Sequence, residues 1–368
     1  MTQTGDSGTD VFHGLALDHI EFHVADVDAA LPALVDGLGL APYARSTAVA
    51  AHDTRSVAVG GGDIRLVLTE TTVQDHPAGF YAEAHGDGVA GIGLGVADTR
   101  AAFATAVSRG ARPVAAPTDH DGIVTASVAG FGDVLHTFVE RPADADPRAL
   151  PGLALLDDSP YPGPGNGEPE LYAVDHLAVC VEAGQLDPTV EFYETVLGFT
   201  VMFEEHIEVG TQAMNSKVVC GPSREVVLTL LEPDLTGEPG QIDQFIKNHG
   251  GAGVQHIALT TADIVATVGS MRQRGVEFLR TPGAYYDTLA ERLELSRHSI
   301  TELRGLDLLV DEDHNGQLFQ IFCRSTHPRK TFFFEVIERA GANTFGSANI
   351  KSLYAAVEQE RLRQRDAV

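Results

Sequence analysis

Three residues in the second half of the chain, His176, His256 and Glu335, are of the types that hold a catalytic divalent metal. Two neutral imidazoles and one carboxylate, each from a different strand, can meet on one face of a metal and leave its remaining octahedral positions open. That is the arrangement of non-haem Fe(II) oxygenases. Zinc hydrolases also use two histidines and a glutamate, but commonly from a helical HExxH segment, which this sequence lacks. The chain has 15 histidines, and a single histidine is more often a surface or core residue than a ligand. Glu335 interrupts the apolar run Phe332–Ile337, where a carboxylate is costly unless it is paired or coordinates a cation. On these residues alone two structural readings stay open: Glu335 pairs with an arginine, and His176 is a satisfied core histidine. His206, His249, His314 and His327 lie near polar or turn segments and rank lower.

The elements that must position these residues come from one module used twice. Leu17–Val24, with Asp18 and His19, is echoed by Val174–Val181, with Asp175 and His176, and both read as strands. Each precedes an amphipathic stretch with a glycine stop, Ala29 to Gly39 and Pro188 to Gly198. Gly88–Ile92 then matches Gly253–Ile257, each leading through Ala-Asp into a helix that ends Arg109-Gly110 or Arg274-Gly275. Thr137–Arg141 and Glu335–Arg339 close the halves with alternating strands. The first copy thus carries His19, Gly91 and Thr137 where the second carries His176, His256 and Glu335, and only the second set can bind a metal. The expected fold is α+β, with two tandem domains of βαβββ repeats, each an open half-barrel of mostly antiparallel strands with flanking helices. Residues 1–141 form the metal-free domain, 142–170 a Pro/Gly-rich linker, and 171–368 the metal domain with a lid helix over about 347–362.

Composition narrows the partners. With 52 acidic against 25 basic residues the net charge is −27, which repels nucleic acid and anionic membrane surfaces. An anionic small substrate needs a local positive centre to overcome that field, and a divalent metal supplies one compactly. Cys180, Cys220 and Cys323 are odd in number and widely spaced, which indicates neither a disulfide framework nor a thiolate site. The first residues lack a basic-then-apolar leader, and no stretch approaches 18 uninterrupted apolar residues. A cytoplasmic location is expected.

Several segments together resemble the 4-hydroxyphenylpyruvate dioxygenase family of the vicinal-oxygen-chelate (glyoxalase-like) superfold, over nearly the whole chain. They are Gln212–Ser216, Gly240 to Ala258, Thr281–Tyr286, Gln317–Phe322 and Phe333–Arg339. The resemblance implies one Fe(II) per chain on His176, His256 and Glu335, with 4-hydroxyphenylpyruvate and O2 as substrates. It further implies polar substrate contacts from Ser216, Thr229, Gln241, Gln255 and Gln320, and a pocket shaped by Phe203, Phe322, Phe333, Phe345 and Ile350. A core role is the structural alternative for Phe203, Phe322 and Phe333.

Ring-hydroxylating members typically read Pro-Ile/Leu-Asn-Glu-Pro where this chain has Thr229-Leu230-Leu231-Glu232-Pro233, and Asn-Phe where it has Asn349-Ile350. Both departures match the branch that forms 4-hydroxymandelate, so Thr229, Leu231 and Ile350 are expected to determine the product. Formation of homogentisate by the same enzyme class is one alternative, and a metal-free aromatic-compound binding protein of the same superfold is another. The resemblance also implies supply of a building block for antibiotic biosynthesis, and a possible homo-oligomer.

Overall fold

Runs rich in Val, Ile and Leu, bounded by Gly, Pro and Asp, set the strands of both halves. The computed structural model describes residues 10–46, 53–71, 73, 75–167, 169–346 and 349. Its first sheet comprises β1 (Ala16–His23), β2 (Ala41–Ser46), β3 (Thr54–Gly61), β4 (Ile64–Thr71), β5 (Gly88–Gly95), β6 (Pro113–His120), β7 (Ile123–Ala129), β8 (Leu135–Glu140) and β9 (Leu153–Leu155), in the spatial order β6-β7-β8-β5-β1-β4-β3-β2-β9. The second comprises β10 (Ala173–Cys180), β11 (Thr200–Val209), β12 (Gln212–Cys220), β13 (Val227–Pro233), β14 (Gly253–Thr260), β15 (Leu309–Asp313), β16 (Gly316–Phe322) and β17 (Phe333–Ala340), in the order β11-β12-β13-β10-β14-β17-β16-β15. Both sheets curl into half-barrels with few helices, the α+β architecture expected from the repeat.

The duplication extends to hydrogen-bond register. β1 pairs parallel with β4 and antiparallel with β5, as β10 does with β13 and β14. His176 stands opposite Ala258, which stands opposite Glu335, while Ala178 faces His256. In the first half His19 faces Gly93, which faces Thr137, and Glu21 faces Gly91. Both halves also carry an irregularity just before the histidine, at Leu17/His19 and Val174/His176. A bulge there re-aims the side chain that follows it.

The helices obey their local signals. Asp98 and Asp263 cap Thr99–Ser108 and Ile264–Gln273, each accepting from a backbone N–H three residues on. Leu186–Leu197 buries Val190, Tyr193 and Leu197. The first-half counterpart, Val27–Pro32, runs into a π-helical turn at Ala33–Gly37. One contiguous apolar cluster includes Ile20, Leu66 and Ile92 from the first sheet and Leu177, Leu228 and Ile257 from the second, so the halves share a core. Within the stretch read as a linker, β9 pairs with β2, and Tyr161 packs on Tyr43 and donates to the Gly62 carbonyl. Apart from Asn349, the lid-helix region, including Ile350, lies outside the described residues.

His249 ends its helix directly before the Gly250 turn, as expected, and is buried at the seam, where it stacks on His85 at 4.4 Å and on Phe245 at 5.0 Å. His136 is buried within 2.7 Å of the Tyr193 hydroxyl. Burial lowers His136 from 6.5 to about 4; burial, and then the neighbouring His85, lower His249 equally. Between pH 6.5 and 4 the unfolded chain therefore binds more protons than the folded one. The stability these neutral rings contribute is full above the unfolded value and is lost as pH falls through that window. Each contribution is on the order of 3 kcal/mol. Denaturant unfolding is expected to show a clearly lower midpoint at pH 5 than at pH 7, and equal midpoints would refute this.

Candidate metal centre

Strand pairing brings the ligand candidates together without any local motif. The Nε2 atoms of His176 and His256 lie 3.6 and 3.4 Å from Glu335 Oε2, and one donor atom from each residue falls within 4.8 Å of the other two. All three side chains are buried. The opposite ring nitrogens are engaged: His176 Nδ1 lies 2.8 Å from Asp175 Oδ1, and His256 Nδ1 lies 3.3 Å from Gln255 Oε1. An acceptor at Nδ1 fixes the tautomer whose Nε2 lone pair faces the shared point, as metal-binding histidines require. Burial lowers the His256 pKa, with Glu335 partly offsetting, which favours the neutral ligating ring. Burial works against ionisation of Asp175, but Arg339 and His176 outweigh it and hold this carboxyl well below the usual range.

Among the described residues no arginine or lysine lies within ion-pair distance of Glu335; the neighbouring Arg339 instead donates to both Asp175 oxygens, at 2.6 and 2.8 Å. A buried carboxylate facing only two imidazoles fits a divalent cation, which would supply the missing counter-charge. Among its described residues the first half offers no equivalent convergence. Glu21 Oε2 lies 3.3 Å from where a Cβ on Gly91 would stand, and Thr137 is hydrogen-bonded to Ser127. A second convergence, of Asp263, His298 and Glu338, is already balanced. Glu338 caps the helix at the Ile264 N–H, pairs with Arg297 at 2.6 Å and contacts His298 at 2.9 Å. Glu140 caps Thr99 in the same way in the first half, so this is an anchor of the fold.

Around the triad, Phe333 stacks on His256 at 4.9 Å, Phe322 approaches the same ring edge-on at 6.2 Å, and Phe345 meets His176 edge-on at 5.1 Å. Thr229 Oγ1 and Gln320 Oε1 are buried without a hydrogen-bond partner among the described residues. Buried polar atoms are rarely left so; a bound molecule's hydroxyl could donate to Gln320 Oε1, and its oxygens could accept from the Thr229 hydroxyl. Ser216 is buried on β12 opposite Leu231, which clusters with Ala178, Cys180, Ile242 and Phe245. Gln241 begins the helix Gln241–His249. Gln255 places its Oε1 against the His256 ring, and Phe203 is half-buried on the edge strand β11.

The family model for the N-terminal domain of hydroxyphenylpyruvate dioxygenase matches residues 11–158, and that of the Glyoxalase/Bleomycin resistance protein/Dioxygenase superfamily matches residues 173–321. The chain is 30% identical to the 4-hydroxyphenylpyruvate dioxygenase of Yarrowia lipolytica, over 94% of this chain and 92% of the relative. The chain belongs to the 4-hydroxyphenylpyruvate dioxygenase family. A second relative, the 4-hydroxyphenylpyruvate dioxygenase of Dictyostelium discoideum, is 36% identical over 75% of this chain and 78% of its own. Among solved structures, a triple mutant of 4-hydroxymandelate synthase from Streptomyces coelicolor matches with a TM-score of 0.84 and 43% identity, over 94% of this chain and 98% of the other. Both halves are thus glyoxalase-type domains, and the protein is a dioxygenase of this family. No described helix is long and apolar enough to cross a membrane.

In this family dioxygenase, Asp175, Arg339, Tyr285 and Asn349 also approach the site, although none was expected to act there. The signal for the first two was present, since an Asp precedes the histidine and a Glu-Arg ends the last strand in both halves. Asn349 is buried with its Oδ1 3.4 Å from the Tyr285 hydroxyl and its Nδ2 without a partner among the described residues, a contact no sequence spacing encodes.

Proposed function

We propose that this protein is a cytoplasmic non-haem Fe(II) dioxygenase that converts 4-hydroxyphenylpyruvate and O2 into 4-hydroxymandelate and CO2, with iron held by His176, His256 and Glu335. The observation that carries the metal assignment is the convergence of two oriented Nε2 atoms and one uncompensated buried carboxylate. Bound iron supplies a Lewis-acidic anchor for the α-keto acid and the means to activate O2. The chain's residues do the rest. Asp175 and Gln255 hold the ligand tautomers, Phe322, Phe333 and Phe345 give the aromatic ring an apolar wall, the Thr229 hydroxyl can donate to a substrate oxygen, and Gln320 Oε1 can accept from a substrate hydroxyl.

The balance of the reaction is internal. The bond between the substrate's carboxylate and keto carbons breaks and releases CO2. One atom of O2 completes a new carboxylate at the keto carbon, and the other enters the benzylic C–H bond. The substrate provides the electrons, so no external reductant is consumed. Benzylic rather than ring attack is supported by Thr229, Leu231 and Ile350, and by the higher identity to the mandelate synthase, 43%, than to the two dioxygenases, 30% and 36%. With Fe(II) and 4-hydroxyphenylpyruvate, an oxygen electrode and trapped CO2 are expected to give equal molar O2 uptake and CO2 release without added reductant. Absence of substrate-dependent O2 uptake would leave the metal-free binding protein as the better reading.

A further inference from the structure

We propose that Arg339 is a positioning residue for the ligand His176, holding that ring from two sides at once. This inference rests on the metal site proposed above. On one side, Arg339 donates through Nε and Nη2 to both oxygens of Asp175, which in turn meets His176 Nδ1. A planar guanidinium gripping a carboxylate with two hydrogen bonds fixes its orientation as well as its charge. On the other side, Arg339 Nη1 donates to the carbonyls of Ala342, at 3.1 Å, and Thr344, at 2.7 Å. Those bonds fold the chain back after β17 and set Phe345 under the guanidinium, 5.0 Å from its centre to the ring centroid. Phe345 then stands perpendicular to the His176 ring. One side chain therefore governs both the hydrogen-bond partner of the ligand and the aromatic ring that packs on it.

The first half contains the same device without the metal. Arg141 donates to both oxygens of Asp18, which meets His19 Nδ1 at 2.6 Å, and it also donates to the Ala149 carbonyl. Among the described residues no aromatic ring packs on His19, and no other ligand candidates converge with it. The two arginines share a place in the fold, and only Arg339 acts on a ligand. Arg141 is thus an internal control that separates positioning from folding.

The test is anaerobic titration of the metal-free full-length protein with Co(II), followed by absorption, together with melting curves. Arg339→Gln is expected to weaken Co(II) binding by about 10–100-fold, the range typical for groups that orient metal ligands. Arg339→Lys, which keeps the charge without the fork, should fall between Arg339→Gln and the parent. Arg141→Gln should lower the melting temperature comparably while leaving Co(II) affinity unchanged. Should Arg339→Gln fail to fold, Phe345→Leu, which removes only the ring contact, is expected to weaken binding several-fold. Parent-like affinity in Arg339→Gln, or in Phe345→Leu where that stands in for it, overturns the proposal, as does an equal loss in Arg141→Gln. A parent protein that binds no Co(II) instead overturns the metal reading beneath it.

Discussion

Replacing His256 with alanine is expected to reduce bound iron from about one per chain to background and turnover by at least about 1,000-fold, with the fold retained. The residue offers one of three donors that converge among the described residues, and an alanine leaves Glu335 and His176, too few to hold a hard divalent ion against water. The fold should survive because β14 keeps its backbone pairing with β10 and β17, and the core beneath it, Ile257 and Leu259, is untouched. The sharper companion is Glu335→Gln. It preserves shape but removes the charge that a cation neutralises, so it should lose metal while being at least as stable as the metal-free parent, in which that buried carboxylate has no Arg or Lys within ion-pair distance among the described residues. Iron analysis after anaerobic reconstitution, with melting curves of the same samples, reads both outcomes. Full iron occupancy in His256→Ala would remove that residue from the ligand set.

The second large effect concerns where oxygen goes. Ile350→Phe is expected to raise the homogentisate share of the products at least about tenfold, since about 1.4 kcal/mol between two competing attacks is enough for that. Ile350 follows Asn349, which is buried against Tyr285 at the edge of the aromatic walls. Under the proposed role of Ile350, a Phe at that position, as the resemblance gives for ring-hydroxylating members, is expected to favour substrate placements with the ring, rather than the CH2 group, nearest the metal. Product analysis by chromatography checks it, and an unchanged product ratio would shift the selecting role to Thr229 and Leu231.

How much of this could be read in the sequence follows from where the information resides. The repeat of Asp-His, of the Gly-Val strand and of the closing Glu-Arg strand sufficed to place His176, His256 and Glu335 on neighbouring strands, because strand pairing is itself duplicated. Gln320 was legible as a buried amide that needs a partner, and its Oε1 has none among the described residues. The role of Arg339 was hidden, although the residue was in plain view, because its partners Asp175 and Phe345 are joined to it only by tertiary folding. The seam was hidden for the same reason: His85 and His249 stack across 164 residues of chain. The short strand β9 was missed because Pro and Gly around it read as punctuation, while three residues suffice to extend an edge.

The most direct test of the proposed reaction is the NMR spectrum of the product formed from 4-hydroxyphenylpyruvate by the iron-loaded protein in air. Because 4-hydroxymandelate and homogentisate are isomers, mass alone does not separate them. The predicted result is a para-disubstituted ring with a single benzylic CH–OH proton. A trisubstituted ring with an intact CH2 group as the main product would contradict it.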